Sequence, residues 1–132
     1  MRLDIDILDI SRTVFMEASG EPYQGKLGVA YVIVNRCKQA RPPKSVQDVV
    51  FRSYQFSCWN TDSPTRMNLD EYGSATWFDS VKASAAAYFE LSDDPTYGAT
   101  MYLNPAVASP AWDWSKLEQT ATIGNHVFYR EI

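Results

Sequence analysis

The sequence lacks any hydrophobic run that could cross a bilayer. None of its apolar stretches approaches the roughly 20 residues that a membrane-spanning helix needs. Its opening segment, MRLDIDILDI, interleaves aspartates with hydrophobic residues and contains no apolar signal-peptide core. We therefore expect a protein that is made in the cytoplasm without a signal peptide and does not insert into a membrane.

Cysteine and histidine are also scarce. Cys37 and Cys58 do not form a CxxC pair, and His126 is the one histidine of the chain. A zinc site takes three or four ligands, usually several of them His or Cys, so no metal site is predicted. Because the chain also has no phosphate-binding loop, dinucleotide fingerprint or GxSxG motif, we expect no cofactor. In a cytoplasmic chain both cysteines should remain free thiols.

Positive charge is neither abundant nor clustered. The net charge is −4, and the Lys and Arg residues are scattered. This argues against a nucleic-acid partner, which would require a basic patch or stripe. Aromatic residues are plentiful at 14%, and they are compatible with a sugar polymer, which is bound through aromatic faces and hydrogen bonds. The length of 132 residues and the 45% hydrophobic content predict a single globular domain over residues 1–132.

The hydrophobic spacing predicts helices first and a small sheet late, which is an α+β order. The predicted segments are helices over residues 4–18, 25–38, 45–50 and 75–91, then two short strands, ATMYLN and NHVFYR, that are joined by a loop. Asp4 or Asp6 would cap the first helix, and Pro22 would open the second. The second segment is apolar all round and would also fit a buried strand, but its length favours a helix. The last helix places Phe78, Val81, Ala85 and Phe89 at helical spacing.

Glu17 is the sharpest candidate for chemistry. It follows Ile10 and Val14 at helical spacing, so it should lie on the buried stripe near the C-terminal end of the first helix. Burial disfavours the charged form of a carboxyl group, so we expect its pKa to be raised. A carboxyl group that keeps its proton at neutral pH suits a general acid. The alternative is a rotated helix that leaves Glu17 half-exposed at a frayed end.

Two further residues admit two interpretations each. Glu21 would either cap the second helix, which we favour, or serve as the second carboxylate of a hydrolase. His126 would either be a packed, hydrogen-bonded strand residue or pair with Cys37 or Cys58 in a Cys–His site.

Four blocks of sequence resemble one family. The stretch SRTVFMEASGEPYQGKLGVAYVIVNR, residues 11–36, resembles the opening of the SleB-type cell wall hydrolases. QFSCWN, DPTYGATMYLNP and IGNHVFYR follow in the family's order. The resemblance implies a lysozyme-like, helix-rich catalytic domain with a small late sheet that acts on peptidoglycan glycan strands.

The resemblance also implies roles for individual residues. The family's catalytic glutamate falls on Glu17, where the helical spacing independently places a candidate acid. Candidate substrate-binding residues are Glu21, Ser57, Trp59, Tyr102, Asn104 and His126. Ser19 replaces the arginine that is usual in the family's EARGE block, so any ion pair of that arginine is absent.

The implied reaction is lytic transglycosylation at the bond between N-acetylmuramic acid and N-acetylglucosamine. The alternatives are a hydrolytic muramidase that uses a second carboxylate, a Cys–His amidase and a non-catalytic peptidoglycan-binding module. A bare catalytic domain of this kind resembles a phage endolysin, which would reach the wall through a separately encoded holin. We expect a monomer, which is the default for a polymer hydrolase of this size.

Overall fold

The computed structural model describes residues 3–52, 56, 59 and 67–132 of the chain. The helices are α1 (Leu3–Ala18), α2 (Tyr23–Gln39), α3 (Val46–Val50) and α4 (Ala75–Tyr88), and the strands are β1 (Met101–Leu103), β2 (Leu117–Ile123) and β3 (His126–Glu131). Short 3₁₀ helices span Leu69–Gly73 and Trp114–Lys116. The predicted helix-rich α+β fold with a small late sheet is confirmed, and the second segment is a helix rather than a strand.

Helix α1 buries the predicted stripe. Ile10, Val14 and Ala18 are at most 1% exposed, so the spacing of three and four correctly identified the inward face. The helix begins at Leu3, however, which places Asp4 and Asp6 inside its first turn and not at the cap. There their negative charges complement the positive end of the helix dipole.

Helix α2 is the central element, because it packs against both α1 and α4 and is buried continuously from Gly25 to Val34. Gly28 allows the sheet to approach it closely. A Cβ atom at that position would lie 2.8 Å from Cζ of Phe128 and 3.1 Å from Cγ2 of Thr96. The small residue at 28 therefore lets the Phe128 ring seat directly on the helix.

Helix α4 is rotated relative to the prediction and ends earlier, at Tyr88. Phe78 and Phe89 are 63% and 49% exposed, whereas the buried face consists of Trp77, Ser80, Ala83, Ser84 and Ala87. Four of these five side chains are small, so α4 lies close to α1 and α2. The hydroxyl groups of Ser80 and Ser84 donate to the carbonyls of Thr76 and Ser80, one turn back, which satisfies them without other partners.

The sheet has the order β1–β3–β2, and both pairs are antiparallel. Strands β1 and β3 are the two predicted strands, and they pair in a register that places Tyr102 opposite Phe128. Strand β2 was not predicted: it lies in the segment that we expected to be a loop. Its side chains are exposed or only partly buried throughout, so its sequence, LEQTATI, carries little hydrophobic signal.

Candidate active site

Glu17 lies in the last turn of α1 and is half-buried. It stands between fully buried residues of the inward stripe and the exposed residues Ser19 and Gly20, so it is more accessible than the stripe but is not on the solvent face. The buried Lys26 closes this end of the helix. Its ammonium donates to the backbone oxygens of Ser19, at 3.3 Å, and of Glu21, at 2.5 Å. The connection that follows Glu17 is thus tied to α2.

Arg36 is a site residue that our sequence reasoning missed. Burial lowers the pKa of its guanidinium, and the negative charge of Glu17 opposes that shift, so the two groups lie within electrostatic reach of each other. The side chain is held in place, because Nε donates to the carbonyl of Thr100 at 2.5 Å and the guanidinium lies 4.9 Å from the ring centroid of Phe56. The available signal was a cation at the end of the apolar α2 segment, within the Asn–Arg pair that closes the first family block.

Tyr102 and His126 come together on the inward face of the sheet. Their ring centroids are 4.9 Å apart, and Tyr102 also contacts the rings of Phe128, at 5.9 Å, and Phe56, at 6.4 Å. His126 is 6% exposed, which confirms that it is packed. Its Nδ1 atom is buried and has no hydrogen-bond partner in the part of the chain that the structure describes. Burial lowers the pKa of His126, although the nearby Glu21 opposes this, so the ring is neutral at pH 7.

Glu21 does not cap α2, so the favoured interpretation was wrong. The N-cap is Pro22, which makes no side-chain cap hydrogen bond. The Glu21 carboxylate instead accepts two hydrogen bonds from Asn125 in the β2–β3 turn, from the backbone N–H at 2.8 Å and from Nδ2 at 3.0 Å. Burial alone would raise the pKa of Glu21, but these hydrogen bonds together with the charges of His126 and Lys26 lower it. Glu21 is therefore ionised at neutral pH.

The other predicted substrate-binding residues are Trp59, Asn104 and Ser57, and the first two make local structural contacts. Nε1 of Trp59 donates to Oγ1 of Thr13 at 2.8 Å, one helical turn before Glu17, which ties the indole to α1. Oδ1 of Asn104 accepts from the backbone N–H of Ala106 at 3.0 Å, so this side chain shapes the turn after β1. Ser57 lies outside the described residues.

The requirements for metal or thiol chemistry are not met in the described residues. They contain no group of three or more His, Cys, Asp and Glu side chains that could hold a metal ion. Burial, supported by the charges of Asp6 and Asp48, raises the pKa of Cys37 to about 11. Cys37 is thus a protonated free thiol that packs against the core and is no activated nucleophile. Cys58 lies outside the described residues.

No helix among residues 3–52 and 67–132 is long and apolar enough to cross a membrane.

Fold and site together define a helix-rich α+β domain with a half-buried glutamate within electrostatic reach of a buried guanidinium, and with a group of aromatic rings around Tyr102 on the sheet. The chain belongs to the cell wall hydrolase family, whose model, described as Cell Wall Hydrolase, matches residues 20–129. The predicted family is therefore confirmed. Glu17 lies just before the matched segment.

Relatives of known name extend the match over nearly the whole chain. The chain is 35% identical over 125 residues to the spore cortex-lytic enzyme of Halalkalibacterium halodurans. The match covers 95% of this chain and 34% of that protein. It is 32% identical over 123 residues to the spore cortex-lytic enzyme of Bacillus subtilis. This match covers 93% of this chain and 37% of that protein. Because so few residues lie outside these matches, Glu17 falls inside both. The chain spans little more than a third of the length of these relatives.

Two solved structures resemble the chain over its full fold. The catalytic domain of the Bacillus cereus SleB protein superposes with a TM-score of 0.72 at 33% identity, covering 93% of this chain and 88% of that one. The catalytic domain of the germination-specific lytic transglycosylase SleB from Bacillus anthracis gives a TM-score of 0.69 at 32% identity, covering 93% and 92%.

Proposed function

We propose that this chain cleaves peptidoglycan glycan strands as a lytic transglycosylase, at the bond between N-acetylmuramic acid and N-acetylglucosamine, with Glu17 as the acid and base. The observation that carries the proposal is the position of Glu17: half-buried at the end of α1 and within electrostatic reach of the Arg36 guanidinium. The similarity of the whole fold to a catalytic domain described as a lytic transglycosylase supports the choice of reaction.

In the proposed reaction, protonated Glu17 donates its proton to the glycosidic oxygen as the bond to C1 of the muramic residue breaks. The resulting carboxylate then accepts the proton of the muramic C6 hydroxyl, whose oxygen bonds to C1 and closes a 1,6-anhydro ring. The carboxyl group ends protonated, as it began, and no water is consumed. One carboxyl group therefore suffices, and the positive charge of Arg36 stabilises the carboxylate that exists between the two proton transfers.

The aromatic group, which consists of the rings of Tyr102, Phe56, His126 and Phe128, would supply the surface for the sugar. Tyr102 is the partly buried member, and its ring is fixed from three sides by Phe56, His126 and Phe128. A rigid aromatic face binds a sugar ring with little loss of side-chain entropy, and hydrogen bonds that shorten as C1 becomes positive favour the transition state. We propose Tyr102 and His126 as substrate-positioning residues on this basis.

A hydrolytic muramidase is the second candidate, because one observation favours it. Glu21 is ionised, as the base that activates a water must be. Both oxygens of this carboxylate, however, already accept hydrogen bonds from Asn125. A Glu21 that is committed to the β2–β3 turn is a structural clamp, which is why we prefer the single-carboxyl reaction.

Mass spectrometry of the fragments released from purified sacculi tests the reaction. Muropeptides one water lighter than hydrolytic products would support transglycosylation, whereas reducing muramic ends would establish the muramidase. The Glu17→Gln variant should release no fragments and keep the wild-type unfolding midpoint. Glu118→Gln, which removes an exposed carboxylate on β2, is the matched control and should cleave like the wild type. Wild-type activity in Glu17→Gln would exclude the assignment of the acid.

Three earlier expectations stay predictions: the substrate contacts of Ser57, Trp59 and Asn104, the monomeric state, and holin-dependent release to the wall. Sedimentation equilibrium checks the second. Expression in cells with and without a holin, followed by measurement of lysis, checks the third.

A further inference from the structure

A charged cavity lies beside the proposed active site. It encloses about 400 Å³ between the C-terminal half of α2, helix α3 and strand β1. Three cations line it, Arg36, Lys44 and Arg52, together with two carboxylates, Asp48 and Glu131. The chain as a whole carries a net charge of −4, so a cavity in which cations outnumber carboxylates departs from the rest of the molecule.

Three polar side chains of this cavity, other than Arg36, form no ion pair or side-chain hydrogen bond among the described residues. Within residues 3–52 and 67–132, the side chains of Lys44 and Arg52 take part in none of the ion pairs, which involve other cations. In the same part of the chain, the buried hydroxyl oxygen of Thr100, which also lines the cavity, has no hydrogen-bond partner. A buried hydroxyl ordinarily has a hydrogen-bond partner, so the Thr100 oxygen is available to a ligand. The exposed ends of Lys44 and Arg52 border the same cavity.

Arg36 connects the cavity with the proposed active site. Besides lining the cavity, it is influenced by the charges of Tyr102 and Glu17 from the proposed site and of Arg52 and Glu131 from the cavity. Phe56 makes the same connection, because its ring centroid lies 4.9 Å from the Arg36 guanidinium and 6.4 Å from the ring centroid of Tyr102. A molecule bound at Glu17 could therefore extend a substituent into the cavity.

We propose that the cavity binds the peptide stem of the muramic residue that is being cleaved. This inference rests on the proposed function. The stem is attached to the lactyl group of N-acetylmuramic acid and carries free carboxylates together with, where it is not cross-linked, the ammonium of its diamino acid. Lys44 and Arg52 would hold the carboxylates, and Asp48 and Glu131 would hold the ammonium. The enzyme would then favour peptide-bearing glycan over bare glycan.

The direct test measures the affinity of the protein for the free tripeptide L-Ala–γ-D-Glu–meso-diaminopimelate by NMR titration. The wild type should bind it, and Arg52→Gln and Lys44→Gln should each weaken the affinity by about tenfold or more, the loss expected for one charge-assisted hydrogen bond. Arg130→Gln, an equal change at an exposed residue outside the cavity, should bind like the wild type. Absence of binding, or equal affinity in all four proteins, would overturn the proposal.

A second measurement separates this inference from the proposed function. The ratio of kcat/KM on peptide-bearing to peptide-free glycan should fall about tenfold in Arg52→Gln and stay at the wild-type value in Arg130→Gln. If the protein binds the tripeptide but releases no sugar fragments, the stem site stands and the proposed reaction falls. If inorganic phosphate binds as tightly as the tripeptide, the cavity is a general anion site and the stem assignment is wrong.

Discussion

Gly28→Ala tests how closely the site depends on the contact between α2 and the sheet. The added methyl group would lie 2.8 and 3.2 Å from two atoms of the Phe128 ring and 3.1 Å from Cγ2 of Thr96. Both side chains are fully buried, so neither can move into solvent. Overpacking costs about 1–3 kcal/mol, and a contact below 3 Å with a fully buried ring puts this case at about 2–3 kcal/mol. Alanine is the better helix former by about 1 kcal/mol, which offsets part of that cost. We expect a net loss of about 1–2 kcal/mol in the free energy of unfolding.

Urea denaturation followed by circular dichroism measures this loss, with Gly73→Ala as the control. A Cβ atom at Gly73 meets nothing within 4 Å, so that variant should unfold within about 0.5 kcal/mol of the wild type. Phe128 packs on Tyr102 and His126, so the release of fragments from sacculi should fall together with stability in Gly28→Ala. An unfolding midpoint equal to or above that of the wild type would refute the close contact.

Three further predictions concern the remaining contacts of the site. Glu21→Gln should lose about 1 kcal/mol at pH 7, because the charged acceptor of Asn125 is removed; its lowered pKa means that this stability is present above about pH 4.5 and is lost at lower pH. Burial holds the pKa of His126 below 6.5, so wild-type stability should fall as the pH drops from 7 to 5, and His126→Gln should flatten that fall. Trp59→Phe should lose about 1 kcal/mol with its hydrogen bond to Thr13.

Urea denaturation as a function of pH decides all three. A difference between the wild type and Glu21→Gln that persists unchanged at pH 3 would contradict the carboxylate clamp. A wild-type stability that rises between pH 7 and 5 would contradict the burial of neutral His126. An unchanged midpoint in Trp59→Phe would show that the bond to Thr13 contributes nothing to stability.

The long helices could be read from the sequence because their signals are local. The stripe of Ile10, Val14 and Ala18 is a repeat within α1 itself, and Ser45 caps α3 by accepting from the N–H of Asp48 three residues on. The inward face of α4 could not be predicted from its own sequence. Its sequence offers both an aromatic and a small-residue face, and only the tight space beside α1 and α2 selects the small one.

The sequence by itself determined the family, the α+β class, the helical frame and the position of Glu17 on α1, because each depends on residues near one another in the chain. Tertiary structure alone decided three further points: that β2 forms, that Glu21 accepts from Asn125 across 104 residues, and that Arg36 lies within electrostatic reach of Glu17. The exposed residues of β2 pair only with β3, and the partners of Glu21 and Arg36 come from distant segments. Such contacts leave no periodic pattern, because they follow from how the helices and the sheet pack and not from local spacing.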